Sequence, residues 1–153
     1  MIYLDAIVVG QPRSQPRPRV VGRAVLADSP VSAAWKAQIV AAILDAGWTS
    51  PAPDAPLELA VEIALPTAQR AREGRAATGR PDLDNLAKAV ADALMEPTGR
   101  DFAKACERLG PAGRGYRGVI ADDAQVVSLR ASKRWSPRPG GVRIVLRDAE
   151  DTA

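Results

Sequence analysis

Histidine is absent from the chain, and cysteine occurs once, at Cys106. The first absence excludes serine–histidine–aspartate triads, histidine-dependent nuclease chemistry and the common histidine-bearing zinc sites. The second excludes an internal disulfide and a four-cysteine zinc cluster. An intrachain metal site must then use oxygen donors, which favours Mg²⁺ or Mn²⁺. Acid–base work falls to Asp, Glu, Lys or Tyr. Long apolar runs are also missing, since none approaches the ~18 residues that suggest a membrane span. The opening MIYLDAIVVG has no basic leader and carries Asp5 inside its apolar stretch, so it does not read as a signal peptide. A cytoplasmic protein with no membrane partner is expected. Lysine is scarce, with 4 against 17 arginines. Arginine binds phosphate bidentately, although 29 alanines assign much of that bias to a GC-rich coding sequence.

What is present is one domain's worth of globular sequence. A chain of 153 residues, 46% hydrophobic and 25% charged, predicts a single domain over 1–153. Position says more than count about its charge. Gln11–Arg23 carries four Arg (13, 17, 19, 23) and no acid, and Ser128–Arg147 carries six basic residues and no acid. Between them, Pro66–Arg80 carries four Arg against Glu73 alone. From Asp82 to Asp123 the balance reverses, with eight acids against six bases. Basic segments bracketing an acidic centre, at a pI of about 9.4, fit a binder of the phosphate backbone.

The pattern along the chain predicts an α+β domain: a mixed β-sheet of about four strands flanked by two main helices. Ile2–Val9 reads as a strand, and Gln11–Gly22 as an irregular Pro/Arg loop. Ser29-Pro30 opens a helix that Gly47 ends, with Trp35, Ile39, Ala42, Ile43 and Ala46 on its core face. After a Pro-rich connector at 49–56, Leu57–Leu65 alternates as a strand, with Glu58 and Glu62 turned outward. Residues 66–79 read as a mobile basic loop. A second helix then carries Leu86, Val90, Ala93 and Leu94 on one stripe and stops before Pro97. Residues 97–118 read as an insertion holding a short helix. Strands at Ala124–Ala131 and Val142–Arg147 are expected to pair as a hairpin across a turn-rich connector, and 148–153 to fray.

The chemistry concentrates at Arg80-Pro81-Asp82-Leu83-Asp84-Asn85. In extended backbone, side chains at i and i+2 point the same way, so Asp82 and Asp84 can enter one small volume. A helix N-cap explains one acid there but not two. Lys88 and Asp92 follow at four-residue steps, the spacing of surface ion pairs or of a lysine held over the acids. Asp122-Asp123 precedes a strand, where a turn or a cation would suit the adjacent charges. Asp82, Asp84 and one of Asp122/Asp123 would supply three carboxylates, about what a two-metal nuclease site needs.

RPDLDNLAKAVADAL followed by ADDAQVVSLRASKRW resembles the RusA family of Holliday junction resolvases, with seven positions of the central motif matching in type and spacing. The Gly-Gln-Pro…Arg-Pro-Arg element at the N-terminus is similar to one seen in members. The resemblance touches most of residues 5–135. It implies Asp82, Asp84 and Asp123 as metal-binding catalytic acids, Lys88 as the catalytic lysine, and supporting roles for Asn85, Asp92, Asp122 and Gln125. It implies a Mg²⁺-dependent homodimer, with Mn²⁺ able to substitute, that makes paired nicks across a four-way DNA junction in recombination and repair. A longer, Gly-rich connector between Leu94 and Asp122 departs from the family pattern and affects the local geometry. Arg13, Arg17, Arg19, Arg80, Lys133 and Arg134 are the expected phosphate contacts. The alternatives are a non-catalytic junction- or duplex-binding protein and a Mg²⁺-dependent hydrolase of free nucleotides.

Overall fold

A computed structural model describes residues 1–150 except 17, 18, 23, 27 and 28. Its centre is a four-stranded mixed sheet in the order β1-β6-β4-β5, formed by Ile2–Val9 (β1), Leu57–Pro66 (β4), Val126–Ser136 (β5) and Gly141–Asp148 (β6). β6 runs antiparallel to both β1 and β4, and β5 runs parallel to β4. The α+β reading with a mixed four-stranded sheet therefore holds. Arg19–Val21 (β2) and Ala24–Leu26 (β3) form a separate small hairpin. That hairpin corrects the irregular reading of Gln11–Gly22. The prolines dominate that segment only as far as position 18, and the Val-rich stretch around Gly22 pairs with itself.

Helix α1, Pro30–Ala46, starts and stops where its caps direct. The Ser29 hydroxyl accepts from the Ser32 N–H at 3.2 Å, and the Gly47 N–H donates to the Ile43 carbonyl at 2.9 Å. Trp35, Ile39 and Ile43 are buried as expected, whereas Ala46 is exposed and Lys36 is buried. The difference arises because α1 is covered on a second side. Helices α3 (Arg100–Glu107) and α4 (Pro111–Arg114) pack against it and bring Phe102, Cys106 and Tyr116 into the core. The Lys36 ammonium lies 4.7 Å from the centre of the Phe102 ring. Residues 97–118 are thus part of the core. Helix α2, Leu83–Ala93, buries Leu86, Val90 and Ala93 against the same core, with Leu94 just beyond its end.

Four further expectations change. β5 and β6 do not pair, because β4 lies between them. The short connector at 137–140 arches over the end of β4, which Pro66 closes. Gly140 makes the arch passable: φ is 77°, and a Cβ there would stand 2.5 Å from the Ala64 carbonyl oxygen. Glu58 alternates outward yet is buried, because Arg147 and Arg130 from the neighbouring strands fold over it. Residues 66–79 lie along β5. The Ala77 N–H donates to the Lys133 carbonyl, the Trp135 N–H to that of Arg75, and the Gly74 N–H to that of Trp135. The tail is tied at its start, since Asp148 accepts from the Tyr3 hydroxyl at 2.7 Å and pairs with the N-terminal ammonium. No helix among the described residues is long and apolar enough to cross a membrane.

Candidate active site

The acidic motif opens α2. Asp82 takes the N-cap position in extended backbone but makes no side-chain capping hydrogen bond. Asp82 lines a pocket of about 490 Å³. Capping therefore does not account for this acid. Asp84, in the first helical turn, is exposed and does not line that pocket. Asp82 and Asp84 thus stand on either side of the point where the chain turns helical, at Leu83.

Lys88 joins α2 to the second acidic block. Its ammonium donates to Asp123 at 3.1 Å and pairs with Asp92 at 3.2 Å. Partial burial pulls the Lys88 pKa down, but the hydrogen bonds to Asp123 and Asp92 outweigh it and raise the value. The Lys88 hydrogen bond correspondingly holds the Asp123 carboxyl below its ordinary value. Lys88 thus brings together three of the residues singled out in the sequence, two from α2 and one from a short 3₁₀ turn at Asp123–Gln125.

Asp122 and Gln125 have structural duties. The Asp122 carboxylate caps that turn by accepting from the Ala124 N–H at 2.9 Å. The buried Gln125 amide donates to the carbonyls of Ala52 and Ala55 and accepts from the Ala121 N–H. It pins the start of β5 to the Pro-rich connector. Asn85 accepts through its backbone carbonyl from the Gln15 N–H at 3.0 Å, which fastens the N-terminal loop beside α2.

Among the expected phosphate contacts, Arg13, Arg80 and Arg134 are exposed, and the first two line the Asp82 pocket. Arg19 begins β2, and Arg17 lies outside the described residues. Lys133 is engaged within the chain. Its ammonium donates to the carbonyls of Gly79, at 2.5 Å, and Pro81, at 2.9 Å. That grip holds the loop that presents Asp82. Trp135, on the same face of β5, also lines the pocket and was missed in the sequence. Extending the alternation Ala131-Lys133-Trp135 beyond Ala131 would have found it. Burial pushes the Cys106 thiol up to about 11, so it is no nucleophile.

By type, Asp82, Asp84 and Asp123 fit a hard divalent cation, since all their donors are carboxylate oxygens. Among the described residues, no three acidic or cysteine side chains already surround one point. Asp82, Arg13 and Arg80 thus share one pocket on a small α+β frame without histidine. A family model described as Endodeoxyribonuclease RusA matches residues 9–101, more than half of the chain. The chain belongs to the RusA endodeoxyribonuclease family. The match ends within α3, so the Asp122-Asp123 block lies beyond it. Among curated proteins, nothing matches the chain.

Proposed function

We propose that the chain is a Mg²⁺-dependent homodimeric endonuclease that resolves four-way DNA junctions by paired nicks. The observation that best supports this is Asp82, which stands at a helix N-cap without capping and lines a pocket together with Arg13 and Arg80. Three acids beside a phosphate backbone would repel it unless a cation lay between them. Asp82, Asp84 and Asp123 would hold that cation, and Mn²⁺ would substitute. When bound, it supplies Lewis acidity that makes water nucleophilic near neutral pH and offsets phosphate charge.

The remaining work falls to the chain's own residues. Arg13, Arg80 and Arg134 orient the backbone, with Arg17 and Arg19 belonging to the same Pro/Arg segment as Arg13. Lys88 keeps its proton across the neutral range, because two carboxylates face it. Its ammonium can therefore meet the negative charge that grows on phosphorus oxygens in the transition state. Lys133 fixes the approach of residues 79–81. A twofold dimer suits a four-armed substrate in which two equivalent strands are cut. Membership of an endodeoxyribonuclease family argues against both a purely structural DNA binder and a nucleotide hydrolase.

The test is one gel with a labelled four-way junction and a linear duplex of the same sequence, each with and without Mg²⁺. Nicks are expected in the junction only, and only with the metal. Asp82→Asn is expected to bind the junction and leave it intact, since the change removes a carboxylate and keeps its shape. Near-normal nicking by Asp82→Asn, or equal cutting of the duplex, would overturn the proposal.

A further inference from the structure

The pocket beside Asp82 has features that backbone contacts do not use. Its volume, about 490 Å³, lies within the ~300–1,000 Å³ range of small-ligand sites. Its lining includes the apolar Trp135, Leu65 and Pro81 and the amide residues Gln11 and Asn85, the Gln11 amide oxygen accepting from Arg13 at 3.2 Å. The Arg72 guanidinium lies over the Trp135 ring, 5.5 Å from its centre. An aromatic side chain, two amide side chains and two arginines lining one pocket match in chemical type the base, base edge and phosphate of a nucleotide. A phosphate alone would leave the apolar wall unused, and duplex DNA is too wide to enter.

We infer that this pocket receives one unstacked nucleobase of the cut strand, next to the phosphate presented to Asp82. Trp135 is the stacking wall, and Gln11 and Asn85 read the base edge, which makes them specificity-determining residues. A base is most readily unstacked where the helix is already broken, because less stacking is lost there. The pocket would then favour cutting at the branch point and would weight the choice of site by base identity. The inference rests on the junction reading above.

The experiment places 2-aminopurine, whose fluorescence rises on unstacking, at each position flanking the crossover of a four-way junction. Binding is followed with Asp84→Asn, which leaves the pocket walls untouched, and cut sites are mapped with otherwise native protein in Mg²⁺. A fluorescence rise at one position beside the mapped nick is expected. Trp135→Ala should change the fluorescence at that position and flatten the cut-site preference by about tenfold, within the range that one base–aromatic stack supplies. Trp135→Phe should retain both. Gln11→Ala, on an exposed loop position, should change which base is preferred with melting temperature unaltered, so the answer does not depend on Trp135→Ala folding. A junction that is bound and cut with no fluorescence rise at any position would overturn the base pocket alone. Unchanged cut-site preference in both Gln11→Ala and folded Trp135→Ala would do the same. A junction neither bound nor cut by the native chain would overturn the junction reading and the pocket with it.

Discussion

Lys88 sits between two carboxylates and half in water, and this arrangement fixes how its contribution varies with pH. The Asp123 carboxyl is held low by Lys88, so its stabilising share is present above the ordinary aspartate value of about 3.9 and is lost as pH falls through the lowered value. Lys88 is raised, so its share is present below the ordinary lysine value of about 10.4 and is lost as pH rises through the raised value. Lys88→Met should therefore melt below the native protein at neutral pH. That gap should close on the acid limb as Asp123 takes up its proton, as melting curves across a pH series would register. Lys133 gives a different contrast. If it positions the 79–81 loop, Lys133→Met should lower the single-turnover rate by up to ~100-fold and leave the salt slope of DNA binding unchanged. Loss of about one unit of that slope would instead mark a direct phosphate contact.

Among the elements, α1 was legible because Ser29, Pro30 and Gly47 carry local instructions that need no partner. Strand β4 was legible from its alternation, but alternation names a face without saying what covers it. Glu58 reads as solvent-facing and is buried beneath two arginines that are 72 and 89 residues away in sequence. The pairing of β5 and β6 was misread for a related reason. Nearness in sequence suggests a hairpin, and nothing local announces that β4 lies between them. The nearest local sign is Gly140, whose conformation serves the arch over Pro66. Gly140→Ala should cost ~1–3 kcal/mol, because a methyl group would meet the Ala64 carbonyl within a left-handed backbone. A urea midpoint falling with an unchanged slope would record it. At the site, the motif names the acids and Lys88. Asp123 as the partner of Lys88, 35 residues away in the same chain, is not encoded in spacing.

For the whole molecule, 97–118 bears on stability as well as on the site. Phe102 is fully buried and is the ring that Lys36 faces, so Phe102→Ala should cost ~3–5 kcal/mol. Chemical denaturation should find the loss global rather than confined to α3, because Phe102 belongs to the same cluster as the sheet residues Leu59 and Ile144. The sheet's strand order carries a consequence for how the enzyme comes into being. β1 pairs only with β6, and β4 waits for both β5 and β6, so every ladder of the main sheet needs residues beyond 125. At ~5–20 residues per second of synthesis, a ribosome bearing the α2 acids goes on for several seconds before Lys133 and the strand beneath the pocket exist. The growing chain therefore carries its acidic motif without the frame that would aim it, and the main sheet closes only once β6 has been made.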